Sequence, residues 1–268
     1  MSRIAIHGAA GRMGRRLIAL TLESNDLTLA AAVERTGHEL LGQDAGTLAG
    51  LAPCGVELRD DLAKEAQVLI DFSIPLATRA ALDLCVRHGA AMVIGTTGLS
   101  NEDHAAIDAA AQKIAVLQAP NMSLGVNLLF ALAGQAAKQL GDDYDVEIVE
   151  AHHRFKVDAP SGTALGIAQA ICNSTGKDVA KDVVYDRHGP DVPRRRGQIG
   201  MHALRLGDVV GRHTASFATL GEELQLTHIA SNRDVFVRGA LRAAGWLAGK
   251  AAGRYGMADV LGLEGGSK

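Results

Sequence analysis

Short apolar runs alternate with amphipathic stretches through the first part of the chain. Residues 3–7 (RIAIH) read as a strand that ends at Gly8. Beyond the glycines, Met13, Leu17 and Leu20 fall at i, i+4 and i+7, the helical period. Residues 27–33 read as a second strand, and 68–72 (VLIDF), 91–94 (AMVI) and 114–117 (IAVL) as further ones. Helical patterns at 76–88 and 101–112 separate them. Strands alternating with helices predict an α/β fold with a doubly wound parallel sheet.

From about residue 145 the texture changes. Residues 145–148 alternate polar and apolar, and a helical pattern covers 164–175. Three long β-like runs follow, 198–206, 208–217 and 222–228, with little helix between them. That pattern predicts an antiparallel or mixed sheet with one exposed face. A last helical pattern, 235–251, brings Phe236, Ala240, Ala244, Leu247 and Ala251 near one face. Residues 186–198 (DRHGPDVPRRRGQ) form a long polar loop. It is either a lid carrying Arg194, Arg195 and Arg196 toward a substrate or a solvated connection, and the second is the simpler reading.

Composition narrows the class. The chain has 268 residues, 47% hydrophobic and 21% charged, enough for a sizeable core in two domains or one elaborated domain. A net charge of −3 offers no global field to nucleic acid or to an acidic membrane. Aromatic content of 3% argues against a stacking platform for single strands. Cys54, Cys85 and Cys172 are odd in number and widely spaced, which fits a reducing compartment and not a disulfide framework. The first strand begins at once, leaving no room for a leader, and no apolar run reaches ~18 residues. The expectation is a soluble cytoplasmic protein.

The first candidate site is the glycine loop, GAAGRMG, with Gly8, Gly11 and Gly14 between a strand and a helix. Gly8 suits a tight turn, Gly11 a close backbone approach to a pyrophosphate, and Gly14 close helix–strand packing. The helix start offers free N–H groups to phosphates. Glu34, 20 residues after Gly14, stands where a carboxylate would accept hydrogen bonds from an adenosine ribose. Arg35 beside it could pair with a 2′-phosphate. Glu34 therefore favours NADH and Arg35 favours NADPH, while two solvated residues at a strand end remain the plain alternative. Gly95-Thr96-Thr97 and Ala119-Pro120-Asn121-Met122 follow two further strands and could reach a nicotinamide ribose or carboxamide.

The second candidate site is VEAHHRFKVDAPSGTALG, residues 149–166. On a strand over 145–152, Val146, Ile148, Glu150 and His152 share one face and His153 takes the other. If the chain stays extended, Lys156 rejoins the His152 face. Three readings compete. A metal site wants three well-spaced ligands and no such set is present; satisfied polar residues at a strand end are another possibility. The third is an anion site with general-acid chemistry. Pro160-Ser161-Gly162-Thr163 favours it, with Ser161 as N-cap and open N–H groups at a helix start beside Lys156 and two histidines. Asp158 fits as an orienting neighbour.

These motifs closely resemble those of the 4-hydroxy-tetrahydrodipicolinate reductase (dihydrodipicolinate reductase) family of bacterial lysine and diaminopimelate biosynthesis. The segments that carry the resemblance are GAAGRMG at 8–14, Glu34-Arg35, VIGTTG at 93–98, APNMSLG at 119–125, EIVEAHHRFKVDAPSGTA at 147–164 and RLGDVVGRHT at 205–214. They span nearly the whole chain. The resemblance implies a Rossmann-type cofactor domain from 1–123 plus 234–268, and a central substrate-binding domain, 124–233, that builds a homotetramer. It implies reduction of a cyclic unsaturated dicarboxylate by NADH or NADPH. It assigns proton transfer to His152 and Lys156, and substrate contacts to His153, Gly162 and Thr163, with Ser161 beside them. Cofactor contacts map to Gly8, Ala9, Ala10, Gly11, Arg12, Met13, Glu34, Arg35, Gly95, Thr96, Thr97, Ala119, Pro120, Asn121 and Met122. Met122 stands where the family usually carries phenylalanine, which keeps an apolar contact but not an aromatic one. On the residues alone, a nucleotide-sensing regulator or a reductase of another carboxylate stays open. The complete 150–163 motif argues against both.

Overall fold

The computed structural model describes residues 1–185 and 187–263. Asp186, at the start of the polar loop, and residues 264–268, at the end of the expected cofactor domain, lie outside the described residues. The chain divides into two compact units, Met1–Leu124 with Asp234–Lys268, and Gly125–Arg233.

The first unit holds a seven-stranded sheet of β1 (Ser2–His7), β2 (Leu27–Val33), β3 (Leu58–Arg59), β4 (Val68–Asp71), β5 (Ala91–Ile94), β6 (Ala115–Gln118) and β12 (Gly253–Tyr255). Their order is β12-β6-β5-β4-β1-β2-β3 and every pairing is parallel. The order reverses between β1 and β4, the switch point at which open α/β sheets receive ligands. Helices α1 (Arg12–Leu22), α2 (Ala45–Leu48), α3 (Pro75–His88), α4 (Asn101–Ala111), α8 (Asp234–Leu247) and α9 (Met257–Leu261) cover the sheet. Because strand side chains alternate, Ile4 and Ile6 enter one core with Leu17 of α1 and Val237, Ala240 and Leu247 of α8. Ala5 enters the other, with Leu82 and Cys85 of α3 and Ile107 of α4. Each such Leu or Ile stabilises the fold by about 1.5–3 kcal/mol through burial.

Helix α8 returns to the first unit for a steric reason. A Cβ at Gly239 would lie 1.7 Å from the Met122 carbonyl, so α8 seats directly on that backbone. The helix ends at Leu247, short of the 251 that the pattern predicts. Gly249 takes φ +79° and turns the chain, and the residues beyond become β12, paired with β6.

The second unit contains β7 (Asp145–His152), β8 (Val183–Val184), β9 (Ile199–Arg205), β10 (Gly211–Thr219) and β11 (Glu222–Ala230), in the order β11-β10-β7-β9-β8. β10 runs antiparallel to β11 and β7, while β7, β9 and β8 are parallel, so the sheet is mixed. Helices α5 (Leu124–Leu140) and α6 (Gly162–Thr175) accompany it, with the short α7 (Val179–Asp182) and a 3-10 turn at Gly141–Asp143. Leu129 and Ala133 of α5 and Ile167 and Ile171 of α6 pack with Ile148, Met201 and Phe217 of the sheet. α5 has no counterpart among the sequence expectations. Its LGVNLLFALAGQAAKQL is apolar around most of its circumference, so no stripe marks its period.

The polar loop is anchored, and at the far end of β7 from His152. Arg194 pairs with Glu147 and with Asp145 (2.7 Å) and donates to the carbonyls of Val146 (3.1 Å) and Gln198 (2.6 Å). Arg187 reaches Glu147 at 2.6 Å, and Arg196 pairs with Asp143. Glu147 is five residues before His152 and on the opposite sheet face, about 16 Å away along a strand. Arg187, Arg194 and Arg196 therefore clasp the start of β7, away from His152, while residues 188–193 between them stay exposed to solvent.

Candidate active site

The glycine loop is built by exclusion of side chains. Gly8 takes φ +68°, and its carbonyl accepts from the Gly11 N–H at 3.0 Å. A Cβ at Gly14 would lie 2.2 Å from that carbonyl and 2.7 Å from Ala9 Cα, so only glycine fits. Gly11 is the N-cap of α1 and has no side chain to cap the helix, which leaves first-turn N–H groups for a ligand. Glu34 accepts from the Ala10 N–H at 3.3 Å and from the Arg35 N–H at 3.1 Å, so it sits against the loop. Arg35 is exposed. A cradle that a single Cβ would fill, an uncapped helix start and a carboxylate at the second strand end suit a dinucleotide.

At the ends of β1 and β4 lies a polar cluster that sequence reasoning missed. Asp71 is fully buried; His7 Nδ1 reaches its Oδ1 at 2.7 Å, where the Ser73 hydroxyl also donates at 2.6 Å. Hydroxyls of Thr78 (2.6 Å) and Thr96 (2.8 Å) donate to Oδ2. Burial pushes the Asp71 carboxyl up, but His7 and the hydroxyls outweigh it and hold the group ionised, below the usual range. Thr96 also accepts from the Ser73 N–H at 3.0 Å. Its side chain is thus spent inside the protein, whereas Thr97 is exposed. Met122 is 1% exposed and part of the core, and Asn121 accepts from the Ser123 N–H at 2.8 Å. A Cβ at Gly95 would strike the Phe72 ring at 2.4 Å.

In the second unit β7 delivers Glu150 and His152 to the face packed by α6, as alternation requires. The chain does not stay extended beyond it. Lys156 N–H bonds the His153 carbonyl at 3.1 Å, closing a turn, and this turn rather than a strand brings Lys156 back. Its ammonium pairs with Asp158 at 2.8 Å. Ser161 caps α6, accepting from the Ala164 N–H at 3.2 Å, and its hydroxyl meets His213 Nε2 at 3.1 Å. The Ser161 N–H donates to Glu150 Oε1 at 3.0 Å. Ser161 is 2% exposed and both its N–H and hydroxyl are engaged internally. Gly162 is exposed, with open space where a Cβ would stand. His153 is half-buried and its Nδ1 has no hydrogen-bond partner among the described residues.

His152 Nδ1 lies 2.5 Å from Glu150 Oε2, and Arg205 grips the same carboxylate with two nitrogens, at 2.8 and 2.9 Å. The His213 ring stands edge-on to His152 at 5.1 Å. Burial lowers the His152 pKa, and the Lys156 and Arg205 charges add to that against the opposing pull of Glu150. Burial likewise takes His213 down to about 4. Both rings are neutral at neutral pH. Glu150, Arg205 and His213 were not singled out in the sequence. Glu150 shares the inward face of β7 with His152, and Arg205 and His213 lie in the RLGDVVGRHT segment, but neither signal assigns a role. Among the described residues no group of three or more His, Cys, Asp or Glu could hold a metal ion, and no helix is long and apolar enough to cross a membrane.

A parallel sheet with a glycine cradle at its switch point, together in one chain with a separate mixed sheet carrying an ammonium and imidazoles at a helix start, defines a dinucleotide-dependent oxidoreductase acting on an anion. Comparison with known proteins narrows this. Family models described as dihydrodipicolinate reductase, N-terminus, and dihydrodipicolinate reductase, C-terminus, match residues 2–122 and 125–261. The 4-hydroxy-tetrahydrodipicolinate reductase of Alkalilimnicola ehrlichii is 52% identical over 265 residues, 98% of this chain and 99% of the relative. That of an Anaeromyxobacter species is 52% identical over 267 residues, 98% and 99% of the two chains. A solved structure, dipicolinate-bound dihydrodipicolinate reductase from Paenisporosarcina sp. TG-14, shares the fold with a TM-score of 0.72 at 24% identity, covering 96% of this chain and 97% of that one. The chain belongs to the dihydrodipicolinate reductase family. Its activity is that of an NAD(P)H-dependent oxidoreductase of diaminopimelate and lysine biosynthesis.

Proposed function

We propose that Lys156 delivers the proton when this chain reduces the cyclic dicarboxylate, 4-hydroxy-tetrahydrodipicolinate by way of dihydrodipicolinate, to tetrahydrodipicolinate, with His152 as its proton-handling partner. Gly8, Ala9, Ala10, Gly11, Arg12 and Met13 hold the pyrophosphate of NADH or NADPH, and Glu34 and Arg35 meet the adenosine ribose. Gly95, Thr96, Thr97 and Ala119–Met122 serve the nicotinamide end, Thr96 through its main chain because Asp71 holds its hydroxyl. When bound, the coenzyme supplies hydride. Substrate carboxylates lie against Gly162 and Thr163, with His153 and Lys156 as further contacts. Ser161 acts by holding that turn.

The observation that carries this assignment is geometric: His152 turns Nδ1 to the Glu150 carboxylate at 2.5 Å, while Lys156 stands in the following turn against Asp158. His152 directs Nδ1 at a carboxylate, which can only accept, so its Nε2 keeps a lone pair. A neutral ring in that tautomer has no proton to give the substrate. Lys156 does, and Asp158 orients it. The proton quenches the negative charge that hydride addition leaves on the conjugated enamine. Dipicolinate in the related solved structure supports a planar dicarboxylate as ligand.

We further infer a cytoplasmic homotetramer built through the central unit. Leu204 and Ile229, 49% and 57% exposed, lie on the sheet face that α6 leaves open, which supports burial by other subunits. Analytical ultracentrifugation tests this, with Ile229→Lys expected to dissociate the assembly.

The activity test follows NADH and NADPH absorbance with substrate generated in the cuvette by the preceding synthase. Lys156→Ala is expected to lower kcat by about 10²–10⁴-fold with nucleotide affinity unchanged. A mutant within tenfold of wild type removes Lys156 from the chemistry.

A further inference from the structure

The Glu150 carboxylate is buried and fully engaged at both oxygens. It is 0% exposed and receives four donors from three parts of the chain. His152 Nδ1 and one Arg205 nitrogen meet Oε2 at 2.5 and 2.9 Å; a second Arg205 nitrogen and the Ser161 N–H meet Oε1 at 2.8 and 3.0 Å. Strand register makes this possible. β7 and β9 align His152 with Arg205, and β7 and β10 align Glu150 with His213.

We propose that Glu150, clamped by Arg205, is a positioning residue for the reduction: it keeps the His152 proton on Nδ1 and ties that ring to the anion-binding start of α6. The inference rests on the proton-handling role proposed for His152 and deepens it. An ionised carboxylate only accepts, so it dictates which ring nitrogen carries hydrogen. A protonated Glu150 could donate instead and reverse the tautomer; the bidentate guanidinium prevents this. The edge of His213 at 5.1 Å packs against the ring, and the Arg205 guanidinium also donates to the Asp158 carbonyl at 2.5 Å. Arg205 thereby holds Glu150 and the Lys156 partner together. The same carboxylate that orients the imidazole also receives the N–H of the helix-capping serine. One ion pair thus sets the geometry of both the proton site and the anion site.

A consequence follows for proton uptake. His152 presents a bare Nε2, and a bound dianion favours protonation there, so dicarboxylate binding draws a proton from solvent. The groups that face or bear on this ring are Glu150 on β7, Arg205 on β9, His213 on β10, Lys156 in the turn and, behind His213, His228 on β11. The ring, the lysine and His153, the other imidazole proposed as a substrate contact, lie where a ligand at the α6 start adds charge, and the Glu150 variants separate His152 from His153.

The test uses the full chain with pyridine-2,6-dicarboxylate as probe, without coenzyme. In ¹⁵N spectra wild-type His152 is expected as the Nδ1–H tautomer, and calorimetry in buffers of different ionisation enthalpy is expected to show proton uptake on binding. Glu150→Gln turns an amide N–H toward the ring, and the expected results are a switch to Nε2–H, loss of proton uptake and kcat lower by about 100-fold with NADH affinity intact. Glu150→Asp, with the charge kept, restores part of the activity and the native tautomer. If Glu150→Gln does not fold, Arg205→Lys carries the same spectral and calorimetric readouts. A lower melting temperature with tautomer, proton uptake and pH–rate profile unmoved would reduce Glu150 to a structural ion pair and overturn the proposal. A tautomer switch alongside an active Lys156→Ala enzyme would instead keep the positioning role and remove the proton-donor assignment.

Discussion

The two candidate sites are built on opposite principles. The nucleotide cradle works by absence: glycines clear space, an uncapped helix presents N–H groups, and Glu34 and Arg15 reach the main chain of the loop from outside it. The 150–163 region works by convergence: His152 of β7, Arg205 of β9 and the Ser161 N–H meet on one carboxylate, with His213 of β10 held against Ser161 and His152. A backbone site tolerates change in neighbouring side chains but no added Cβ. A side-chain site tolerates an added Cβ where space is open but not the loss of one charge.

The sharpest way to break that contrast is a pair of glycine substitutions. Gly14→Ala places a Cβ 2.2 Å from the Gly8 carbonyl, so NADH and NADPH binding should weaken by more than about 100-fold, with about 1–3 kcal/mol lost in stability. Gly162→Ala meets open space and should change stability by less than about 1 kcal/mol. Fluorescence titration and thermal melts read both, and normal nucleotide binding by Gly14→Ala would end the exclusion argument.

Next in size is the response of the convergent region to acid. The folded pKa of His213 is depressed to about 4, below the 6.5 of an unfolded histidine, so the unfolded state binds more protons between those values. The stability this gives is complete above pH 6.5 and is lost as pH falls through about 4, a contribution of up to about 3 kcal/mol. Urea titrations across that window should show the loss in wild type and a flatter profile in His213→Gln. An unchanged slope in the variant would assign the acid response to other groups.

Thr96→Val tests how far the first unit shares this convergent logic. It removes one donor from buried Asp71 and the acceptor of the Ser73 N–H, and should cost about 1–3 kcal/mol in denaturant unfolding. Nucleotide affinity should fall less than in Gly14→Ala. The smallest effect is expected at exposed Arg35. Arg35→Ala should weaken NADPH binding by under about tenfold and leave NADH unchanged, as measured by calorimetry. Equal affinities in wild type and variant for both nucleotides would exclude Arg35 from the ribose site.

The contrast also explains what was readable in the chain. The parallel sheet, the mixed sheet and the glycine loop show in periodicity and spacing because each depends on local rules: strand alternation, helix period, the absence of Cβ. α5 escaped because a helix apolar on most sides carries no stripe, and the end of α8 because its continuation became an edge strand. The turn at His153–Lys156 was invisible to alternation, so Lys156 reaches its place by a route that extended geometry does not describe. Asp71 looked like one more residue of an apolar strand. Arg194 looked like a loop cation until its partners at Asp145 and Glu147 made it a clasp.

By itself, then, the sequence determined the layer architecture, the backbone cradle and the presence of an ammonium and imidazoles before a capped helix, since each is written within about 20 neighbouring residues. Only the tertiary structure decided that His152 turns Nδ1 to a buried carboxylate, that Ser161 and Thr96 spend their hydroxyls inside the protein, and that Arg205 and His213 stand beside residues more than 50 positions earlier in the chain. Those outcomes depend on strand register and burial, which set partner and dielectric for each polar group and have no local signature.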